Sequence, residues 1–191
     1  MTWVASEGVV YQDFNKDKHY IKNIDKVDIK KYFCGVDFGW EHYGSIVVVG
    51  KDLNDNYYLI KEYAYQHKDI EEWIDIAKEI KSKYGNVNFY CDHARPDYID
   101  KLKRSGIRAI NANKEVLEGI SMIAKLFKTD KLFILEDNVS RFKDEIYNYV
   151  WQKGKDDPVK QFDDVLDSLR YAIYSESKRN GKMFDRNKYN V

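Results

Sequence analysis

The chain has little of what staples or ligates small folds. Its 191 residues include two cysteines, Cys34 and Cys91, and four scattered histidines, His19, His42, His67 and His93. A disulfide framework and a Cys/His zinc site are both excluded on that count. Each cysteine lies inside an apolar strand pattern and reads as a reduced core residue. Proline occurs twice, at Pro96 where a helix can begin and at Pro158 in a charged break. No apolar run approaches the ~20 residues that cross a bilayer, and no basic-then-apolar signal segment follows Met1. No Gly-x-x-x-x-Gly-Lys-Ser/Thr occurs, so a P-loop ATPase is excluded for this chain, and there is no internal repeat. Net charge is also missing, because 32 basic residues balance 32 acidic ones. Any nucleic-acid surface must therefore be local. A charged fraction of 34% and a mean hydropathy of −0.68 predict a soluble protein in a cytoplasmic setting without membrane contact.

What is present is one domain's worth of alternating strand and helix patterns. Tyr32–Asp37 predicts a strand that ends on a carboxylate flanked by Gly35 and Gly39. Alternation puts Phe33, Gly35 and Asp37 on one face and Cys34 and Val36 on the other. Strands are predicted at 45–51 and 57–65, joined by Asn54-Asp55-Asn56, which makes an antiparallel meander. Ile70, Trp73, Ile74, Ala77, Ile80 and Tyr84 recur at helical spacing up to Gly85. That crossover helix allows the next strand, 87–91, to run parallel to an earlier one and to end at Asp92. A short helix over 96–104, a strand at 107–110 and a longer helix over 114–128 follow, the last burying Val116, Leu117, Ile120, Ile123, Ala124 and Phe127. A strand at 132–135, a helix at 141–149, a loop at 154–158 and a helix at 162–175 complete the order. Residues 1–30, with Trp3, Tyr11, Phe14 and Tyr20, read as an extended leader or interdomain-connection stub that can pack on the domain edge, 31–177 as the folded domain, and 178–191 as a flexible basic tail.

Three acidic positions call for a common explanation. In a parallel pairing of the first and fourth strands, Asp37 and Asp92 emerge at the same sheet edge. The final helix carries Asp163, Asp164 and Asp167, and residues three or four apart share one face. Asp163 or Asp164 also suits a helix cap. Together the carboxylates have the chemistry of a site for hard divalent cations, Mg²⁺ or Mn²⁺. Two such ions ~4 Å apart activate a water and stabilise a departing oxygen in phosphodiester cleavage.

This constellation resembles the ribonuclease H-like fold, an α/β architecture whose mixed sheet joins a three-strand antiparallel meander to parallel strands between helices. The chain more specifically resembles the C-terminal nuclease domain of the terminase large subunit of tailed bacteriophages. The matching segments are Glu7-Gly-Val-Val-Tyr11, Cys34-Gly-Val-Asp-Phe-Gly39, Cys91-Asp-His-Ala-Arg-Pro96, Asn113-Lys114 leading to Glu118-Gly-Ile120, and Asp163-Asp-Val-Leu-Asp-Ser-Leu-Arg-Tyr-Ala172. The resemblance implies an endonuclease with Asp37, Asp92 and Asp164 as catalytic acids and with Asp167, and either metal contact or capping by Asp163, completing the metal set. Asp164 stands where many relatives have histidine, which adds one negative charge to the site. The implied cofactor is a pair of Mg²⁺ or Mn²⁺ ions. The implied partners are double-stranded DNA, an N-terminal ATPase domain of the same polypeptide, the portal protein and the small terminase subunit. The implied place is the host cytoplasm, at the procapsid portal.

Trp40, His42, Arg95 and Lys114 are candidates for DNA contact, each set against a plain surface role. Three other readings remain. A sugar-kinase-like fold is disfavoured by length, a junction resolvase of the same fold would need a dimer, and a non-catalytic DNA- or portal-docking module predicts no cleavage.

Overall fold

The computed structural model describes the backbone of residues 8–187 and the side chains of residues 8–181. Residues 8–30 lie against the domain and are not simply extended. Helix α1 (Lys16–His19), capped by Asn15, leads into strand β1 (Tyr20–Ile21). Tyr11 is buried, and Phe14 and Tyr20 pack on the same core. Aromatic spacing without a period hid this, because each ring fills a separate gap. Trp3 and Glu7 lie outside the described residues.

The meander then forms as its patterns require. Strands β2 (Lys31–Asp37), β3 (Gly44–Lys51) and β4 (Tyr57–Tyr65) pair antiparallel. Ile46, Val47, Val48 and Val49 are all buried, so β3 is covered on both faces and reads as a continuous apolar run. Helix α2 (Ile70–Tyr84) starts on a capping box between Asp69 and Glu72 and stops at Gly85, whose φ of 87° suits glycine. It delivers β5 (Asn88–Cys91) parallel to β2. Helix α3 (Pro96–Arg104) leads to β6 (Arg108–Asn111), parallel to β5 at one edge. Helix α4 (Val116–Lys128) crosses to the other side, where β7 (Leu132–Leu135) lies between β4 and β1. Helices α5 (Arg141–Asn148) and α6 (Asp164–Asn187) close the chain.

The seven-stranded sheet thus separates two cores. Phe33 faces α4, α5 and α6, whereas Cys34 and Val36 face α2 and α3. Both cysteines are buried free thiols on that second face.

Two expectations are corrected. Leu117 is 46% exposed, because α4 turns Gly119 inward against the aliphatic stem of Arg170. The expected flexible tail is helical as far as Asn187, since 178–187 holds no proline and a helix propagates through polar residues once its core-facing turns are set. The side chains of Lys182 and Arg186, and Lys188 altogether, lie outside the described set.

Candidate active site

The site begins with strand register. Val36 of β2 lies opposite Cys91 of β5, and the Asp92 N–H donates to the Val36 carbonyl at 2.9 Å. Asp37 and Asp92 therefore leave the sheet as neighbours at the ends of parallel strands. Helix α6 reaches them because Gly35 has no side chain where the helix crosses β2. Ser45 of β3, which pairs with Asp37, donates its hydroxyl to the Asp164 carbonyl at 2.8 Å and meets the Ser168 hydroxyl at 2.5 Å. These contacts fasten the first turns of α6 over the strand ends.

A cleft of about 340 Å³ opens there. Asp37, Asp92, Asp163, Asp164 and Asp167 all line it, with His42 and Lys114 also on its wall. Three of these acids carry a cation each. Lys114 Nζ bonds Asp92 at 2.6 Å, Arg141 bonds Asp164 at 3.1 Å, and Arg170 bonds the buried Asp167 at 3.0 Å. Asp37 and Asp163 have no such ion pair among the described residues.

The electrostatics follow from that distribution. Burial, then the charges of Asp167, Asp92, Asp164 and Asp163, push the Asp37 carboxyl well above the usual range. Burial and the neighbouring Asp167 and Asp164 raise Asp163 to about 6. Burial also raises Asp164, against the pull of Arg141. For Asp92, burial works upward but is outweighed by the Lys114 ammonium and the Ala94 N–H, so its carboxyl lies below the usual range. Excess negative charge around oxygen donors is what a hard divalent cation neutralises, and in that respect the donor set fits such an ion. Among the described residues, however, no three acidic, histidine or cysteine side chains converge at ligating distance. Gripping an ion would require the paired acids to turn from their own cations.

The remaining candidates separate. Lys114 and His42 line the cleft, whereas Trp40 and Arg95 do not. Trp40 is 52% exposed with its ring edge against His67, and Arg95 pairs with Asp97 and stacks on Tyr98. Glu145, Arg141 and Arg170 were not singled out from sequence. Glu145 is fully buried, yet accepts from the N–H groups of Val165 and Leu166. Burial pushes its carboxyl up to about 8, against those donors and Arg141. Nothing in a linear pattern marks a glutamate on one helix as the cap of another.

Comparison with known proteins places the fold in a family. The family model described as the terminase RNaseH-like domain matches residues 34–176. A large terminase from a thermophilic bacteriophage, solved in complex with ATP-gamma-S, superposes with a TM-score of 0.75 at 30% identity over 89% of this chain. The chain spans 46% of that protein. The large terminase nuclease domain of P22 gives a TM-score of 0.76 at 18% identity, covering 90% of this chain and 93% of that one. The corresponding nuclease domain of bacteriophage SPP1, solved with bound Mn, gives 0.70 at 22% identity, covering 82% and 95%. Among curated proteins nothing matches. With three quarters of its length matched by the family model, the chain belongs to the terminase RNaseH-like domain family.

Proposed function

We propose that the chain is a divalent-metal-dependent endodeoxyribonuclease that cuts concatemeric double-stranded viral DNA during genome packaging. The observation that carries this reading is the convergence of Asp37, Asp92, Asp163, Asp164 and Asp167 on one cleft, in a chain of the terminase RNaseH-like family. Asp37 and Asp92 would hold the metal from the sheet, and Asp164, with Asp163 or Asp167, from α6. Bound there, Mg²⁺ or Mn²⁺ supplies an activated water and charge stabilisation for the departing oxygen. Asp37 and Asp163, without a cation of their own among the described residues, are the acids most available to such an ion. Lys114 orients Asp92, and its ammonium stands at the cleft wall where a scissile phosphate would approach. The large terminase solved with ATP-gamma-S, of which this chain spans 46%, supports placement beside an ATPase domain in a longer polypeptide. In this reading the polypeptide works with the portal protein and small terminase subunit on DNA at the procapsid portal, in the host cytoplasm.

The test is plasmid cleavage with Mg²⁺, Mn²⁺ or EDTA, using the parent chain and Asp37→Ala, Asp92→Ala and Asp164→Ala. Metal-dependent nicking and linearisation abolished by each substitution, with unchanged circular dichroism, is the expected result. Cleavage that survives all three substitutions, or no cleavage with either metal, sinks the proposal. The second reading, a DNA- or portal-docking module, is favoured by one observation: three of the acids are already neutralised by ion pairs.

A further inference from the structure

The helix that carries Asp164 and Asp167 is capped from outside. Helix N-termini leave backbone N–H groups without intrahelical partners, and a residue just before the helix usually satisfies them. At α6 the acceptor is Glu145, on α5. Its Oε1 receives the Val165 N–H at 2.8 Å and the Leu166 N–H at 3.0 Å. Its Oε2 receives Arg141 Nε at 3.1 Å, and the same guanidinium reaches Asp164 Oδ2 at 3.1 Å. Arg141 lies over the Tyr43 ring, 4.3 Å from its centroid, which limits the freedom of the fork. A fully buried carboxyl group is costly unless hydrogen-bond partners surround it, and here the partners are the backbone of the acid-bearing turn and the arginine that holds its acid.

The support continues one element back. Glu62 of β4 accepts from the N–H groups of Ser140, Arg141 and Phe142 at 2.6, 2.5 and 2.9 Å. It fixes the start of α5 to the sheet as Glu145 fixes the start of α6 to α5. Phe162, immediately before the acids, has a φ of 54°, a left-handed conformation that a bulky residue adopts only when its surroundings impose it. The entry to α6 is therefore held in place by contacts with other elements and not by its own local preference.

We propose that Glu145 is a positioning residue for the acidic cleft: it sets the height and rotation of the first turn of α6 and, through Arg141, the orientation of the Asp164 carboxylate toward a divalent cation. This rests on the metal-site reading given above. Glu145 need not touch metal or DNA to do so. Residues that orient metal ligands typically change metal affinity by about 10- to 100-fold when altered.

The experiment uses the full chain and three variants. Glu145→Gln keeps the shape but places an amide donor among donors, Glu145→Asp withdraws the carboxylate by one methylene, and Asp69→Ala removes the remote cap of α2. Mn²⁺ affinity is measured by calorimetry, backbone protection by hydrogen exchange at Val165 and Leu166, and cleavage as a function of Mn²⁺ concentration. For Glu145→Gln, Mn²⁺ affinity should fall about tenfold or more. Exchange at both amides should accelerate, and most of the lost cleavage should return at saturating Mn²⁺. Glu145→Asp should shift in the same direction, which keeps the test available if the glutamine variant does not fold. Asp69→Ala should lower thermal stability and leave Mn²⁺ affinity unchanged. A folded Glu145→Gln chain with parental Mn²⁺ affinity and exchange overturns the positioning role alone. Equal loss of Mn²⁺ affinity in Asp69→Ala overturns it too, by showing a general stability effect. Absence of Mn²⁺ binding by the unsubstituted chain overturns the metal-site reading and this inference with it.

Discussion

A methyl group added to Gly35 would stand 1.8 Å from the backbone carbonyl oxygen of Ser168. The obstacle is backbone in the middle of a helix packed on the sheet, so no side-chain rotation relieves it. Gly35→Ala should therefore lift α6 from β2 and part Asp167 from Asp37. Overpacking of this kind costs about 3 kcal/mol or more. Urea denaturation should show that loss, and Mn²⁺ binding should weaken at temperatures where the variant is still folded.

The raised carboxyl of Asp163 makes stability depend on pH in a definite direction. Its folded value of about 6 exceeds the ordinary 3.8, so between those values the folded state binds more protons than the unfolded one. Stability from this group is present at the acidic end and is lost as pH rises through about 6. Asp52, Asp92 and Asp97 act in the opposite sense, so the comparison must be with a variant. Without metal, Asp163→Asn should be more stable than the parent above pH 7, by about 1 kcal/mol after allowing for solvent screening. Melting temperatures across pH would show the gap closing toward acid. A parent curve parallel to the variant's at every pH would count against it.

Lys114 and Asp92 give the contrary case. The Asp92 carboxyl is held below its ordinary value, so its contribution is present above the usual carboxylate range and is lost as pH falls through the folded value. Lys114→Met should cost about 1 kcal/mol at neutral pH, the order of a partly exposed charged hydrogen bond. That difference should vanish in acid, as chemical denaturation at several pH values can test.

The segment before β1 contributes to the core. Tyr11 is 3% exposed and packs against Phe127 and Tyr149. Its neighbours bond to the chain that leads toward the cleft, through Val10 N–H to the Tyr149 carbonyl at 2.9 Å and Trp151 N–H to the Gly8 carbonyl at 2.8 Å. Tyr11→Ala should cost about 3–5 kcal/mol, as for other large-to-small aromatic changes in cores. Stability equal to the parent's in urea would show that this segment is dispensable.

Much of this architecture was legible in particular residues. Alternation around Gly35 assigned Phe33 and Asp37 to one face and Cys34 to the other, because the side-chain period of a strand is fixed by its backbone. The periodic stripe from Ile70 to Tyr84 and its glycine stop gave α2 almost to the residue. Leu117 misled, since an apolar residue at the edge of a helical stripe faces the core or solvent according to what the partner helix offers. The N-terminal aromatics showed less, having no period to betray the separate gaps they fill.

The candidate acids could be named from the chain alone because strand ends and helix faces place carboxylates by local geometry. Whether those acids stand alone or paired was decided elsewhere. Lys114, Arg141 and Arg170 each reach an acid along a side chain, and only the packing of α4 and α5 on the sheet brings the first two within reach. Glu62 and Glu145 are ordinary glutamates in sequence, and they become caps because folding sets them, half-buried and fully buried respectively, beside N–H groups at helix starts. Local periodicity thus sets which elements form and which faces they bury. The charge state and rigidity of the cleft depend on contacts between residues distant in sequence, which no local pattern encodes.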